Sequence, residues 1–310
     1  MPAAMEMRDA PKIMLKASLL DGLLFGVDLG LRRWDNCLQA TRGIDEVYGL
    51  AADMGGMGFI ERYRVECLRS ILINTHMLEA AYNAGAVRYF FSSSACAYNI
   101  DLQQDPNVRA LKESDAYPAN AERGYGWEKL LSEIFCQEYY AERGLETHIA
   151  RFHNVYGPRG TWDGGREKAP AALCRKVIDA KDKGINEIEI WGDGTRTRSF
   201  MFIDDCTFGI DQIMHCDRLI ATPINLGTSE LVSVNELVDI IEEIGGVKLR
   251  RIYKLDAPKG VGGRNSENTF IKSMLDWEPS TPLKEGLKIT YSWIEQQYRD
   301  RKLGKFTVYD

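Results

Sequence analysis

The sequence predicts an α/β fold, in which a doubly wound parallel sheet is combined with a smaller C-terminal domain. Single amphipathic helices separate the apolar strand patterns, and this alternation gives right-handed parallel crossovers within one sheet. Polar or glycine-rich clusters follow three of the strands, at residues 53–58, 93–96 and 153–157. The 310 residues, 45% of them hydrophobic, are enough chain for about two domains.

The first half of the chain alternates strands and helices. Residues 12–17 are a candidate first strand, and residues 47–52 form a short apolar strand pattern that ends in the glycine cluster 55–58. Apolar residues at three-to-four spacing predict a helix over residues 64–84. The aromatic run at residues 87–92 predicts the next strand.

The second half begins with equally clear elements and then becomes less regular. A helix is predicted over residues 125–142, where Gly144 ends it, and a strand over residues 148–152. The later predicted elements are helices near 170–181, 233–244 and 283–299 and a strand at 187–191. The predicted domains are residues 1–155 with about 199–228 for the sheet, and about 156–198 with 229–310 for the second domain.

Composition excludes several classes of protein. The net charge is −6, with 39 basic and 45 acidic residues and no long run of either sign, so the basic footprint of a nucleic-acid binder is missing. The seven cysteines contain no C-x-x-C pair, which argues against zinc and thioredoxin-like sites and favours free thiols in the cytoplasm. No apolar run approaches about 18 residues, and we expect neither a membrane span nor a secretory signal.

Tyr125 and Lys129 are four residues apart on a predicted helix and therefore share a face. A lysine ammonium close to a tyrosine favours the phenolate, and such a tyrosine can act as a general base. Ser94, at the end of the preceding strand, could bind the same substrate hydroxyl. The alternative is a surface pair on an amphipathic helix.

Cys96 and Lys168 are two further candidates. Cys96 directly follows a strand end, where it is either a small buried hydrophobe or an exposed thiolate whose pKa a nearby lysine lowers. Lys168 lies in a loop that begins with Gly164 and Gly165, and spacing alone favours a solvated lysine.

Two arginine clusters stand out in this acidic chain. Arg196 and Arg198 follow a tight turn and share a strand face, and Arg264 follows two glycines. Arginine suits bidentate phosphate contacts, so the clusters indicate a diphosphate ligand, with surface ion pairs as the alternative. The glycine cluster 55–58 does not have the spacing of a dinucleotide fingerprint.

These residues resemble those of a known family. From about residue 28 to about residue 300 the chain is similar to the GDP-mannose 3,5-epimerases, a group of extended short-chain dehydrogenases/reductases with a Rossmann-like domain. The matching segments are 51–60, 93–96, 125 with 129, 151–154, 156–158, 164–172, 191–194, 197–200 and 263–266.

The resemblance implies a cycle of oxidation, epimerisation and reduction. Tyr125, helped by Lys129 and Ser94, would take the proton of the sugar 4-hydroxyl while NAD accepts the C4 hydride. The resulting ketone acidifies C3 and C5, where Cys96 and Lys168 would exchange protons on opposite faces of the ring. The product would be GDP-L-galactose, on the plant route to ascorbate.

The resemblance also implies which residues bind each ligand. It places Asp28, Tyr125 and Lys129 at the NAD site, and it implies a homodimer. The residues that it implies for GDP-mannose are Gly55, Ser94, Ala95, Cys96, Asn154, Glu167, Lys168, Ala169, Lys176, Arg196, Thr197, Arg198 and Arg264.

The N-terminal unit departs from the family pattern. In the family a glycine-rich turn after the first strand holds the NAD pyrophosphate. Residues 18–22 offer one glycine for this turn, and residues 1–27 are too short for the whole unit. We therefore expect weak or absent NAD binding and a chain whose stability depends on oligomerisation.

Two alternatives to the 3,5-epimerase remain. One is a nucleotide-sugar 4-epimerase or 4,6-dehydratase, although dehydratases carry an Asp-Glu pair where this chain has Ala95 and Cys96. The other is a non-catalytic relative that keeps the fold and binds the nucleotide sugar.

Overall fold

The computed structural model describes residues 12–15, 30–258 and 260–305. The strands are β1 (Lys12–Leu15), β2 (Glu46–Gly49), β3 (Arg88–Ser94), β4 (Glu146–Phe152), β5 (Val155–Tyr156), β6 (Glu187–Trp191), β7 (Thr197–Ser199), β8 (Met201–Phe202), β9 (Pro223–Leu226), β10 (Leu231–Ser233), β11 (Arg250–Lys254) and β12 (Gly263–Arg264). The α-helices are α1 (Trp34–Thr41), α2 (Met57–Arg62), α3 (Arg64–Leu68), α4 (Ser70–Asn83), α5 (Tyr125–Arg143), α6 (Ala169–Lys183), α7 (Ile203–Met214), α8 (Val234–Gly245), α9 (Thr269–Leu275) and α10 (Leu283–Lys302).

The predicted parallel sheet is confirmed. Five strands pair in the order β1-β2-β3-β4-β9, all of them parallel. Successive side chains of a strand point to opposite faces. Tyr89 and Phe91 accordingly pack with α1, α4 and α5, whereas Phe90 packs with α7 and α9 on the other face. Both faces are therefore covered, as a doubly wound sheet requires.

Several element boundaries differ from the prediction. The strand predicted over residues 47–52 ends at Gly49, because the backbone turns there and the Leu50 N–H donates to the Tyr48 carbonyl. The helix predicted over residues 64–84 is divided into α3 and α4 at Arg69. The buried Ser70 hydroxyl accepts a hydrogen bond from the Asp53 backbone N–H, which ties the start of α4 to the loop after β2.

The C-terminal half has a hydrophobic core of its own. Helices α6, α8 and α10 pack there around Ile188 and Ile190 of β6, which pairs in parallel with β11. β9 and α7, neither of which the sequence predicted, belong instead to the core of the large sheet. The predicted domain boundaries stay a prediction.

Two global features bear on the site. All seven cysteines are free, and six of them are buried. Within the part of the chain that the structure describes, no helix is long and apolar enough to cross a membrane.

Candidate functional site

A cavity of about 480 Å³ lies beyond the carboxyl ends of β3 and β4, between the sheet and the segments around β6 and β7. This is where ligands bind in doubly wound folds. The cavity brings together most of the residues that the sequence singled out. Those that line it are Gly55, Ser94, Ala95, Cys96, Tyr125, Asn154, Glu167, Lys168, Ala169, Lys176, Arg196, Arg198 and Arg264.

Ser94, Cys96 and Tyr125 form one side of the cavity, which we call the sheet wall. Ser94 ends β3, and its hydroxyl accepts a hydrogen bond from the Cys96 backbone N–H at 3.2 Å, which starts a tight 3-10 turn. Tyr125 is the first residue of α5. Gly126 follows it because a Cβ at that position would collide with the Cys96 carbonyl. The start of α5 therefore packs directly on the turn that carries Cys96.

Lys129 lies one helical turn after Tyr125, behind the sheet wall. Its Nζ is 5.5 Å from the centroid of the Tyr125 ring and 3.8 Å from Glu128 Oε2. Burial raises the pKa of Tyr125 well above its ordinary value, and the charge of Glu128 contributes. The net shift of the Tyr125 pKa is upward, so the Lys129 ammonium, which also lies close to Glu128, does not offset the effect of burial.

Cys96 is 7% exposed, and its sulfur accepts a hydrogen bond from Arg264 Nη1 at 3.2 Å. Burial raises the pKa of the thiol, Glu122 adds to this shift, and Arg264 opposes it. The alternative of an exposed thiolate with a lowered pKa is therefore wrong. Cys96 is a buried thiol at the cavity edge.

Lys168 is the N-cap residue of α6. Desolvation lowers the pKa of its ammonium, while the charge of Cys96 opposes the shift. Spacing alone favoured a solvated lysine, and this expectation is also wrong. Burial thus moves Cys96 and Lys168 towards their neutral forms, a thiol and an amine, on the same cavity.

The glycine cluster 55–58 positions the loop that carries Lys168. The Gly56 N–H donates to the Arg166 carbonyl at 3.0 Å, and a Cβ at Gly56 would collide with the Glu167 carbonyl oxygen. The Arg166 guanidinium lies 4.1 Å from the centroid of the Phe59 ring. These glycines therefore permit two loops to approach each other closely.

Arg196 and Arg198 form the opposite side, which we call the arginine wall. Arg196 Nη1 donates to the Gly260 carbonyl at 2.8 Å, and Arg198 Nη2 donates to the Val261 carbonyl at 2.7 Å. Neither forms an ion pair with a carboxylate of the described residues. Burial lowers the pKa of Arg198 to about 9, and the nearby charge of Arg264 contributes. A largely desolvated cation without an ion pair of its own favours an anionic ligand.

Three of the other predicted ligand residues already have protein partners. Lys176 Nζ donates to the Glu189 carbonyl at 2.9 Å, and Asn154 Nδ2 donates to the Ser199 carbonyl at 3.0 Å. The Glu167 carboxylate accepts a bond from the Gly165 N–H at 2.7 Å. Each side chain is therefore held at the cavity by an adjacent loop or strand.

Three predicted site residues are not among those that line the cavity. Thr197 donates its hydroxyl to the Pro106 carbonyl. Lys129 lies behind Tyr125, and Asp28 lies outside the described residues. Arg264 does line the cavity, but its guanidinium contacts Cys96, so its position beside the thiol was not anticipated.

Comparison with known proteins agrees with this geometry. The model of the NAD dependent epimerase/dehydratase family matches residues 8–227. The chain belongs to this family. It is 48% identical to GDP-mannose 3,5-epimerase 1 of Oryza sativa subsp. japonica over 273 residues, which cover 88% of this chain and 70% of that protein. The corresponding Arabidopsis thaliana protein, named GDP-mannose 3,5-epimerase, is 47% identical, with 88% of this chain and 71% of that protein covered.

A solved structure shares the fold. UDP-glucose 4-epimerase of Thermotoga maritima superposes with a TM-score of 0.76 at 23% identity, covering 86% of this chain and 83% of that one. The Rossmann-like sheet predicted from the sequence is thus confirmed within the described residues. The predicted incompleteness of its N-terminal unit stays a prediction.

NAD is the cofactor of this family. The described residues suit its nicotinamide end, since two hydroxyls, those of Ser94 and Tyr125, line the cavity at the carboxyl edge of the sheet with Lys129 behind them. The adenosine end, where Asp28 was predicted, falls outside the described residues. The expectation of weak NAD binding stays a prediction, which a calorimetric NAD titration checks.

Several residues of the site were assigned no role from the sequence. Trp191 lines the cavity and leaves no room for a side chain at Gly58, whose Cβ would lie 3.0 Å from the indole. The tight turn and the two arginines that follow Trp191 in the sequence are the features that could have identified it. Glu122 and Gln103 contact Arg264, and no local pattern marks either of them.

Proposed function

We propose that this chain epimerises GDP-mannose at C3 and C5 to GDP-L-galactose, through a 4-keto sugar and with NAD as cofactor. The observation that carries the proposal is that one cavity is lined both by the Ser94–Tyr125 hydroxyl pair and by Cys96 and Lys168. A 4-epimerase has no use for the second pair, because it inverts no centre next to the ketone. The identity to the rice and Arabidopsis proteins supports the same reaction.

The sheet wall would remove the proton of the 4-hydroxyl and later return it. Tyr125 accepts this proton and Ser94 orients the hydroxyl, while Lys129 behind the ring favours the charged form of the tyrosine. NAD, when bound, would supply the acceptor and the donor for the C4 hydride. Tyr125 then gives the proton back to the C4 oxygen.

Cys96 and Lys168 would invert the two carbons beside the ketone. A carbonyl at C4 acidifies the C–H bonds at C3 and C5, and inversion requires removal of a proton from one face and delivery on the other. Burial keeps a proton on Cys96 and favours the neutral amine of Lys168. An acid and a base whose pKa values burial shifts in opposite directions suit this exchange.

The arginine wall would bind the diphosphate of the substrate. Arg196 and Arg198 have no carboxylate partner among the described residues, and Lys176 lines the same cavity. Fork-shaped guanidinium groups suit phosphate oxygens. Binding of the nucleotide at this wall would leave the sugar against the sheet wall.

The test is incubation with GDP-mannose and NAD in D₂O, followed by measurement of deuterium at C3, C4 and C5 of the recovered sugar. We expect deuterium at C3 and C5. Inversion at C4 without exchange at C3 or C5 indicates a 4-epimerase. An unchanged sugar indicates a non-catalytic nucleotide-sugar binder and contradicts the proposal.

A matched pair of cysteine variants sharpens this test. Cys96→Ser should abolish exchange at C3 and C5, because an alcohol is a far weaker acid than a thiol. Cys216→Ser is the control, since Cys216 is a free, partly exposed cysteine that does not line the cavity. Equal exchange in both variants would remove Cys96 from the mechanism.

We also propose a homodimer that forms through α3, α4 and α5. Leu72 of α4 and Trp127, Leu131 and Ile134 of α5 are each at least 39% exposed, and an apolar groove of about 380 Å³ lies between Leu68 and Ile134. Contiguous apolar surface of this kind favours a protein interface. Leu131→Glu should convert the dimer to a monomer in light scattering, whereas Ile289→Glu, on α10, should not.

The cellular setting belongs to the same proposal. A cytoplasmic location is supported by seven free cysteines, because disulfides are rare where thiols are kept reduced. A place on the plant route to ascorbate rests on the likeness to the rice and Arabidopsis proteins.

A further inference from the structure

Cys96, Glu122 and Arg264 meet in one buried cluster at the edge of the cavity. Arg264 Nη1 donates to Cys96 Sγ at 3.2 Å, and Nη2 donates to Glu122 Oε2 at 3.2 Å. The Nε of the same guanidinium donates to Gln103 Oε1 at 2.5 Å. All three nitrogens of the fork are engaged, so Arg264 cannot turn towards a ligand without breaking a buried hydrogen bond.

Backbone contacts hold Glu122 against Cys96. The Glu122 N–H donates to the Cys96 carbonyl at 3.1 Å. A Cβ at Gly126 would lie 3.0 Å from the Glu122 Cβ and would collide with the Cys96 carbonyl, so the loop before α5 can approach closely only with glycine there. The fold itself therefore keeps the carboxylate close to the sulfur.

The sulfur lies among charges of both signs. Arg264 favours the thiolate, whereas Glu122 and burial favour the thiol. Of the described groups that face Cys96, Glu122 is the one that carries a carboxylate. The groups that face it are Glu122, Arg264 of β12, Arg198 of β7, Lys168 before α6, Tyr125 of α5 and Cys67 of α3.

We propose that Glu122 is a positioning residue for Cys96: its carboxylate holds the Arg264 guanidinium against the sulfur and offsets the charge of that guanidinium. The inference rests on the proposed function, in which Cys96 is one of two proton-transfer groups. A group that delivers a proton to carbon must first hold one. Without Glu122, the uncompensated guanidinium would shift the balance towards the thiolate.

The test is the rate at which iodoacetamide alkylates Cys96 as a function of pH, read from the mass of the peptide that contains it. Only the thiolate reacts, so the rate reports the pKa without any need for activity. Glu122→Gln keeps an acceptor for Arg264 and removes the charge. We expect alkylation at pH 7 to be about tenfold faster, which corresponds to a pKa lower by about one unit.

Three further variants fix the sign of the effect. Arg264→Gln should slow alkylation, because it removes the charge that favours the thiolate, and Glu122→Asp should restore the rate of the unchanged protein. Glu243→Gln is the matched control, since Glu243 is exposed and pairs with Lys284 on the surface. Equal alkylation rates in Glu122→Gln and Glu243→Gln overturn the proposal. If Glu122→Gln does not fold, the Arg264→Gln variant decides, and alkylation that is faster or unchanged in that variant overturns the proposal.

The pH profile of C3 and C5 exchange separates this inference from the proposed function. With Glu122→Gln we expect the profile to move to lower pH, while the KM for GDP-mannose stays unchanged. If no variant exchanges deuterium but the alkylation rates differ as expected, the proposed function is wrong and the coupling of Glu122 to Cys96 stands. If exchange proceeds and neither the rates nor the profile respond, the coupling is wrong.

Discussion

The sheet wall and the arginine wall face the same cavity but differ in how their polar groups are satisfied. On the sheet wall, Tyr125 and Cys96 are buried, and burial raises the pKa of each. On the arginine wall, Arg196 and Arg198 donate to backbone carbonyls and form no ion pair with a described carboxylate. One wall is neutral and apolar, and the other is cationic.

This difference assigns a separate task to each wall. Proton transfer to and from carbon benefits from a dry site, because desolvation strengthens each electrostatic interaction and brings the pKa values of acid and base together. Binding of a diphosphate benefits from cations that are already in position. Changes on the sheet wall should therefore affect turnover, and changes on the arginine wall should affect binding.

The largest effect is expected from Tyr125→Phe. Loss of the hydroxyl removes the group that we propose to exchange the proton at the 4-position, so kcat should fall by about 10²- to 10⁴-fold with little change in the affinity for GDP. Steady-state kinetics and calorimetry with GDP check both parts. Tyr140→Phe, at an exposed tyrosine of the same helix, is the control. A Tyr125→Phe variant that binds GDP poorly and turns over normally would reverse the roles of the two walls.

A smaller effect is expected from Arg198→Gln. Loss of one charged donor should weaken GDP binding by about 10- to 100-fold, because a hydrogen bond to a charged group contributes roughly 1.5–3 kcal/mol. In calorimetry, Arg299→Gln, at an exposed arginine paired with Glu295, should bind GDP like the unchanged protein. Unaltered affinity in Arg198→Gln would place the diphosphate elsewhere.

The smallest effect is expected on the pH dependence of folding stability, through a buried histidine at the end of a sheet strand. His153 follows β4, its Nε2 contacts Asn225 Oδ1 at 2.9 Å, and its buried Nδ1 has no partner among the described residues. Burial lowers its pKa from 6.5 to about 4. Between these two pH values the unfolded state therefore binds more protons than the folded state. The stability that the neutral His153 contributes is complete above about pH 6.5 and is lost as the pH falls towards 4.

Urea unfolding at two pH values tests this neutral histidine. Between pH 8 and pH 5.5, protonation of one such histidine in the unfolded state should raise the unfolding equilibrium constant by about tenfold. In His153→Asn the loss of stability over this range should be correspondingly smaller. An identical pH dependence in both proteins would mean that His153 is protonated in the folded state.

Much of the fold was predictable from local patterns. The alternation of apolar strands with amphipathic helices indicated the parallel sheet, and the helix that begins at Tyr125 was predicted to within one residue of its observed end at Arg143. β9 was not predictable, because a four-residue strand far along the chain is specified by the partner that it meets, β4, rather than by its own composition. The break at Arg69 likewise depends on a contact of Ser70 with a distant loop.

The sequence by itself determined which chemical groups reach the carboxyl edge of the sheet. Strand ends and helix starts are local features, so the positions of Ser94, Cys96 and Tyr125 followed from pattern and from resemblance to known proteins. Only the tertiary structure decided their charge states. Desolvation and the field of Glu122 and Arg264 raise or lower the pKa of the Cys96 thiol, and these groups are brought together by chain segments far apart in sequence. One position of the sequence gives the residue type, whereas the pKa of the side chain depends on all the groups that the fold places around it.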